Sequence, residues 1–229
     1  MPLAAADAES VRVERPLNGD SLLLTDGRQV RLIGINAPEF HKDGEPHAPL
    51  AAAARQRASV LTRGQNVRLV YDIERLDRYK RTLAYVVLPD GRDLQTVLVG
   101  EGLAWFVAIP PNVARVSAYQ AAEAEARAER RGVWSSTAYD PIPAERLAPG
   151  RTGFLRVTGT VRSVRFSGAN VMLGLAPNGF LVVPRNAGEL TQIARSLTGK
   201  RVLARGWLTA YKSEMRMRLA HPAMLEVWP

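Results

Sequence analysis

The order of the predicted secondary-structure elements constrains the fold of this chain more than any other feature. Three short strand-like segments precede a helix, and two more strand-like segments follow it. The predicted strands cover residues 11–13, 21–24, 29–35, 66–72 and 81–88. The predicted helix opens at Pro49 and runs through residues 51–62. Turn residues such as Gly19 and Gly27 separate the first three strands. Short strands joined by tight turns form a curved meander, which is typical of a small barrel.

The same order returns after residue 150. Strands are predicted at residues 154–166, 171–176, 180–183, 200–210 and 215–226, with a helix at 187–197. Three strands, a helix and two strands are the order of the five-stranded oligonucleotide-binding (OB) barrel. The chain is therefore predicted to be mainly β with helices (α+β), in two tandem OB-type barrels. The first barrel carries two extra helices, one of about eight residues capped by Asp93 and one over 113–131.

Two segments that contain several prolines or glycines separate the predicted strands and helices. Residues 135–150 contain three prolines and lack apolar periodicity, which is typical of a linker. The predicted domains are therefore 9–134 and 151–229, with a linker at 135–150. Residues 41–48 form a polar loop rich in glycine, proline and histidine, and we expect this loop to move over a site.

The charge is divided unevenly along the chain. The net charge is +9, yet residues 1–150 contain 19 basic and 19 acidic side chains, whereas residues 151–229 contain 12 and 3. A small, strongly basic domain suits a polyanion such as nucleic acid, and an anionic membrane surface or glycan is the alternative. Cysteine is absent, which excludes disulfides, thiol catalysis and cysteine-bound zinc. No apolar run is long enough to span a membrane.

Polar residues with the chemistry of phosphodiester hydrolysis surround the third predicted strand. Asp20 lies in a turn, and Asn36 lies where the strand runs into the loop marked by Pro38. Together with the carbonyl of Ala37, they offer hard oxygen ligands of the kind that Ca²⁺ accepts, with Mg²⁺ or Mn²⁺ as alternatives. We predict a metal site at these three residues.

Two arginines and a carboxylate complete this predicted site. Arg31 and Arg81 have planar guanidinium groups that suit phosphate oxygens better than an ammonium group does. Glu39, three residues after Asn36, is placed to orient or deprotonate water. Arg31, Glu39 and Arg81 are the predicted catalytic residues.

The basic second domain interleaves arginines with aromatic residues. Basic grooves combined with aromatic stacking platforms bind single-stranded nucleic acid. We predict a nucleic-acid-binding surface at Arg162, Arg165, Arg205, Trp207, Tyr211, Lys212 and Arg216, with Tyr79 as a contact in the first domain.

These spaced motifs resemble the staphylococcal nuclease (thermonuclease) family. N-G-D-S at 18–21 is similar to D-G-D-T of the family, R-L-I-G-I-N-A-P-E at 31–39 to R-x-x-x-x-D-x-P-E, and D-R-Y-K-R at 77–81 to D-[KR]-Y-G-R. L-A-Y-V, G-L-A and R-R-G-V-W extend the resemblance to about 11–134. The C-terminal part resembles OB-type extensions of some bacterial nucleases. The resemblance implies a Ca²⁺-dependent endonuclease that acts on DNA and RNA, with metal, phosphate and general-base positions at the residues named above.

The sequence departs from the family pattern in three places. Asn36 and Asn18 stand where the family has aspartate, so cation affinity should fall or its preference shift. Lys80 replaces a glycine, and the stretch 103–112 lacks the tyrosines that contact the nucleotide in the family.

Three functions stay open from the sequence. The first is a metal-dependent, sugar-non-specific nuclease, and the second is a catalytically weak or inactive nuclease-like protein that binds nucleic acid. The third is an envelope protein with a basic surface. Small residues at 4–8 favour a periplasmic or secreted location with an export signal already removed, and the cytoplasm is the alternative. We expect a monomer whose partners are DNA or RNA, preferably as single strands.

Overall fold

The computed structural model describes residues 8–39, 48–148 and 150–228. The predicted loop at 41–48 therefore lies outside the described residues, except for Ala48. The chain divides into two compact units, Met1–Ala138 and Tyr139–Pro229, which are described separately below. None of the helices in the described ranges has the length and apolar character that crossing a membrane requires.

The first unit is built on a closed five-stranded barrel. The strands of this unit are β1 (Ala8–Asn18), β2 (Ser21–Leu24), β3 (Gln29–Leu32), β4 (Ile35–Asn36), β5 (Asn66–Val70), β6 (Thr82–Val87) and β7 (Trp105–Phe106). Its helices are α1 (Ala51–Thr62), α2 (Leu94–Gly100) and α3 (Val116–Ala128). The barrel order is β1-β2-β3-β6-β5. Among the neighbouring strands of this barrel, β3 and β6 pair in parallel and the other described pairs are antiparallel. The predicted barrel and its extra helices are confirmed for this unit.

Alternating apolar residues line the inside of this barrel. Val13, Leu22, Val30 and Leu69 are fully buried. On β1 and β5, the residues that directly precede Val13 and Leu69 are exposed. This period of two follows from the opposite directions of successive side chains in a strand.

Helix α1 packs closely on the turn between β1 and β2. Its inner face consists of small side chains, including the buried Ala51, Ala54 and Ala58. A Cβ atom on Gly19 would lie 2.7 Å from the Cβ atoms of both Ala37 and Ala54. The absence of a side chain at Gly19 therefore allows the helix and the residue after β4 to meet at this turn.

A short ladder between β4 and β7 was not expected from the sequence. The predicted strand 29–35 is interrupted at Gly34, which has a φ of +80°. A Cβ atom on Gly34 would lie 2.6 Å from the ring of Tyr119. Ile35 then pairs with Phe106, and Asn36 pairs with Trp105. The buried carboxylate of Glu123 on α3 accepts a hydrogen bond from Phe106 N (3.0 Å), which holds β7 in place.

Two glycines allow the segment before β7 to contact the segment after α3. Gly102 and Gly132 have φ angles of +69° and +52°. The N–H of Val133 donates to the carbonyl of Gly102 (2.9 Å). A Cβ atom on Gly132 would lie 2.1 Å from the carbonyl oxygen of Gly102. The two backbone segments are therefore in direct contact, with no room for a side chain.

Helix α3 is shorter than the predicted 113–131, and the left-handed φ of Arg130 follows its end.

An ion-pair cluster fixes the start of β1, and it should make stability depend on pH. Arg28 donates two hydrogen bonds to Glu9 (2.6 and 3.0 Å), and the hydroxyl of Tyr71 donates a third. The bonds from Arg28 and then from Tyr71 lower the pKa of Glu9 to about 2. A lowered pKa stabilises the fold above the unfolded value of 4.5, and this contribution disappears as the pH falls towards 2.

We therefore expect the difference in melting temperature between this protein and the Glu9→Gln variant to shrink as the pH falls from about 5 to 2. Thermal unfolding followed by circular dichroism at a series of pH values measures this difference, with Glu14→Gln on the same strand as the control. A constant difference between pH 7 and pH 2 would contradict the assignment.

The second unit contains an eight-stranded sheet. Its strands are β8 (Ile142–Pro143), β9 (Gly153–Thr160), β10 (Ser163–Ser167), β11 (Asn170–Ala176), β12 (Gly179–Pro184), β13 (Arg201–Tyr211), β14 (Glu214–Arg218) and β15 (Leu225–Trp228), and its helix is α4 (Glu189–Arg195). The order is β10-β11-β12-β14-β13-β9-β8, and β15 pairs with β13. Part of the predicted linker, β8, therefore belongs to this sheet.

The predicted second closed barrel is not confirmed, because this hydrogen-bonded order is open. The predicted strand 154–166 is split into β9 and β10, which lie on opposite sides of the sheet order. Val161 donates to Lys200 beside β13, whereas Arg162 donates to Gly174 on β11. The chain therefore changes neighbours between these two residues. The predicted strand 215–226 is also split, into β14 and β15, with a 3₁₀ turn at Pro222–Met224 between them.

Candidate active site

Asp20 lies at the centre of the candidate site. It is buried at the end of the β1–β2 turn, where Asn18 accepts a hydrogen bond from its N–H (3.0 Å). Its carboxylate accepts hydrogen bonds from the hydroxyl of Ser21 and from the N–H of Ala37, both at 3.0 Å. The turn that follows β1 is thereby joined to the residue that follows β4.

Arg31 connects Asp20 to Asn36. One terminal nitrogen of Arg31 lies 3.0 Å from the Asp20 carboxylate and donates to the Asp20 carbonyl (3.2 Å). The other donates to the amide oxygen of Asn36 (3.2 Å). The Asn36 amide nitrogen points to the carbonyl of Ala37 at 3.4 Å. Four residues that the sequence analysis selected separately are therefore in contact.

Arg81 is held by Asp77 in the loop before β6. Two nitrogens of its guanidinium lie 2.7 Å from one carboxylate oxygen of Asp77. The other oxygen accepts from the N–H groups of Tyr79 and Arg81 at 2.8 and 2.9 Å. Burial raises the pKa of Asp77, but the hydrogen bonds from Arg81 and Tyr79 outweigh it, and the pKa lies below its ordinary value. Asp77 is a residue for which the sequence analysis assigned no role, although it begins the motif at 77–81.

The strand register relates the two arginines. Arg31 on β3 lies opposite Leu83 on β6. Arg81 is two residues before Leu83, and side chains two residues apart project from the same face of an extended segment. We therefore infer that the side chains of Arg31 and Arg81 project to the same side of the barrel wall.

The other two predicted residues of the first unit are exposed. Glu39 is the last described residue before the segment 40–47, and its side chain is open to solvent. Tyr79 is 65% exposed, and the guanidinium carbons of Arg78 and Arg81 lie 4.8 and 5.6 Å from its ring centroid. Lys80 has a φ of +62°, a conformation that the glycine of the family pattern adopts without strain.

The candidate metal ligands form an oxygen-only set with a single negative charge. Within the described parts of the chain, no group of three or more histidine, aspartate or glutamate side chains could hold a metal ion. The set consists of the Asp20 carboxylate, the Asn36 amide oxygen and the Ala37 carbonyl. These are hard ligands that Ca²⁺ accepts, and they fit such an ion chemically. Because Arg31 neutralises Asp20, we expect this set to hold a cation weakly in the absence of a phosphate.

The residues predicted on the second unit separate into different environments. Arg165, Tyr211, Lys212 and Arg216 are at least partly exposed on or beside β10, β13 and β14. Arg162 is exposed and paired with Glu145 (2.8 Å). Trp207 packs edge-on against Phe154, with ring centroids 5.1 Å apart. The structure places Arg165, Tyr211 and Arg216 near one another, and it separates them from Arg162 and Trp207.

Arg205 is a correction to the predicted surface. Its side chain is only 4% exposed, and it lies 3.1 Å from the carboxylate of Glu226 on β15. A buried arginine needs such a partner, because an unpaired charge in the protein interior is costly. Arg205 therefore joins β13 to β15 and is not available to a nucleic acid.

Comparison with known proteins identifies relatives of this chain. The sequence model of the family described as "Staphylococcal nuclease homologue" matches residues 29–136. The chain is 38% identical to the thermonuclease of Staphylococcus intermedius over 129 residues, which are 55% of this chain and 76% of the relative. It is 33% identical to the thermonuclease of Staphylococcus hyicus over 138 residues (58% and 80%). An uncharacterised endonuclease of Escherichia coli is 32% identical over 145 residues (62% and 86%).

Proposed function

Because this chain belongs to the staphylococcal nuclease family and is an endonuclease, we propose that it hydrolyses phosphodiester bonds of DNA and RNA at the site around Asp20, with the help of a divalent cation. Ca²⁺ is the first candidate, and Mg²⁺ and Mn²⁺ are the alternatives. The observation that supports this proposal is the contact of Arg31 with both Asp20 and Asn36, at 3.0 and 3.2 Å. Residues from three separate segments thus combine an anionic oxygen, an amide oxygen and a phosphate-binding group.

The two arginines would bind the phosphate. The guanidinium of Arg31 donates hydrogen bonds to the carbonyls of Asp20 and Leu32. These bonds fix its position before a substrate binds. Arg81 is held by Asp77, whose carboxylate also accepts two backbone N–H groups. A phosphate oxygen can therefore attract Arg81 without leaving Asp77 unsatisfied. Hydrogen bonds to oxygens that gain charge in the transition state accelerate the reaction.

Glu39 would orient the attacking water and accept its proton. It follows Pro38 directly, which restricts the backbone before it. A carboxylate repels phosphate, so a protein that only binds nucleic acid has no use for one here. Asp20, Asn36 and Ala37 would hold the cation, which when bound neutralises charge on the attacked phosphate.

A weaker nuclease that acts mainly as a nucleic-acid-binding protein is the second candidate. It is favoured by the neutral amide at position 36, which leaves Asp20 as the only carboxylate of the ligand set. A monomeric state, a preference for single strands and a periplasmic or secreted location stay predictions.

Cleavage of labelled single-stranded DNA by the purified protein tests the proposal. We expect no cleavage in EDTA, cleavage when Ca²⁺, Mg²⁺ or Mn²⁺ is titrated in, and a loss of about a hundredfold or more in Glu39→Gln. Cleavage that persists in EDTA would contradict the cation, and full activity of Glu39→Gln would contradict the proposed base. Binding without cleavage under every cation would favour the second candidate.

The Asn36→Asp variant serves as a matched control in the same titration. It adds a second carboxylate at nearly the same volume, so we expect half-maximal activity at a lower cation concentration. An unchanged titration curve would show that the side chain at position 36 does not bind the cation.

A further inference from the structure

Cationic and aromatic side chains alternate across the outer face of the second sheet. Arg165 lies on β10, Phe180 on β12, Arg216 on β14 and Tyr211 at the end of β13. We call these four residues the outer stripe. The stripe runs across the strands and not along one of them. One row of register neighbours crosses it from β10 to β13: Ser163, Gly174, Phe180, Arg216 and Thr209.

The direction of the stripe follows from the residues that alternate with it. Leu181, Met215 and Met217 are buried in the interior of the unit. Side chains on either side of a buried residue in a strand project to the opposite face. Phe180 and Arg216 therefore project outward, and neighbouring strands place such residues about 4.8 Å apart.

Each arginine of the stripe lies over an aromatic ring. The guanidinium carbon of Arg165 is 4.6 Å from the ring centroid of Phe180, and that of Arg216 is 3.9 Å from the ring centroid of Tyr211. A Cβ atom on Gly174 would lie 2.6 Å from the hydroxyl of Ser163 and 3.4 Å from the Phe180 ring. Gly174 therefore leaves the space in which the ring lies and over which Arg165 reaches.

The stripe is accessible and basic. Arg165 is 55% and Tyr211 is 50% exposed, whereas Phe180 is only 8% exposed beneath Arg165. Glu214, at the hairpin between β13 and β14, lies 2.7 Å from Arg216 and 3.8 Å from Arg165. One carboxylate is thus shared by two arginines, and the stripe keeps a net positive charge.

We propose that the outer stripe binds a single-stranded nucleic acid. Its bases would stack on the exposed ring of Tyr211, and its phosphates would contact Arg165 and Arg216. Phosphate alone would need no aromatic rings, and the bases of a duplex are already stacked on one another. An exposed aromatic ring beside guanidinium groups matches the bases and phosphates of a single strand. The residues concerned lie outside 29–136, the part that the family model matches. This proposal shares only the class of ligand with the proposed nuclease function.

Fluorescence anisotropy of labelled oligo(dT) with the full chain in EDTA tests this proposal without cleavage. We expect Tyr211→Ala to weaken binding about tenfold, because the loss of one base stack has about this effect. The double variant Arg165→Ala and Arg216→Ala should also reduce the dependence of log K on log salt concentration by about 0.7 for each lost phosphate contact.

Two controls accompany these variants. Tyr211→Phe keeps the ring and should bind like the unchanged protein, and so should Lys200→Ala, which removes an exposed charge away from the stripe. Equal binding by all variants would overturn the proposal. It would also be overturned if the stripe variants lost binding to phosphatidylglycerol vesicles but kept oligo(dT). The two proposals can fail separately. If the protein bound oligo(dT) through the stripe but cleaved no DNA with any of the three cations, this proposal would be supported and the nuclease function would be contradicted.

Discussion

Replacing Arg81 with alanine is expected to lower the turnover of single-stranded DNA by about a hundredfold to a thousandfold. This is the typical loss when one hydrogen-bond donor to a developing negative charge is removed. Arg81 directly precedes β6, which pairs with the strand of Arg31, so we expect both guanidinium groups to reach one phosphate. Initial rates at saturating substrate, with the cation that gives the highest activity, measure the effect.

The stability of the Arg81→Ala variant should change little, because Asp77 keeps its hydrogen bonds from the N–H groups of residues 79 and 81. Arg68→Ala removes an exposed arginine on β5 and serves as the control for net charge. Arg81→Lys keeps the charge but loses the planar fork, so we expect an intermediate rate. A rate for Arg81→Ala above one-tenth of the original would exclude a direct role in the transition state.

Replacing Gly132 with alanine is expected to destabilise the first unit by about 3 kcal/mol or more. The new Cβ atom would lie 2.1 Å from the carbonyl oxygen of Gly102, and φ at this position is +52°. The opposing atom belongs to the backbone, so no side-chain rotation can relieve the overlap. Melting temperature should fall by about 10 °C, and urea unfolding followed by circular dichroism measures the change in free energy.

Gly91→Ala separates the overlap from the strain of the left-handed backbone. Gly91 has a φ of +85°, and a Cβ atom there would meet no atom within 4 Å. This variant should cost only about 1 kcal/mol. If Gly132→Ala cost no more than Gly91→Ala, the close backbone contact would have no part in stability.

The elements with strong local signals could be predicted from the sequence. Helix α1 ends at Thr62 as expected, although it begins at Ala51 and not at Pro49. Asp93 caps α2 by accepting a hydrogen bond from the N–H of Thr96 (2.7 Å). Turn glycines and a helix cap act within a few residues, so periodicity and composition reveal them. The order of the first barrel followed from the same signals.

Long-range contacts were not visible in the sequence. The ladder of β4 with β7 consists of two residues on each side, which is too short for an alternating pattern. The burial of Arg205 depends on Glu226, 21 residues later in the chain. The split of the strand after Val161 depends on which neighbours accept its hydrogen bonds. Such features need the assembled sheet, and local propensity does not contain them.

The candidate site shows the same limit. Asp20, Arg31 and Asn36 were selected by their chemistry, and the structure brings them together. The ion pair between Arg81 and Asp77 was not predicted, although the two residues are only four positions apart in the sequence.

The ladder between β4 and β7 has a consequence for the time at which the site forms during synthesis. Asn36 emerges from the ribosome long before Trp105, its partner on β7, and before Glu123, which holds β7. Until these residues have emerged, β4 therefore has no partner strand that fixes the Asn36 side chain beside Arg31. Domains fold as units once their sequence is complete. The site would thus assemble only after the first unit, which ends at Ala138, has been synthesised.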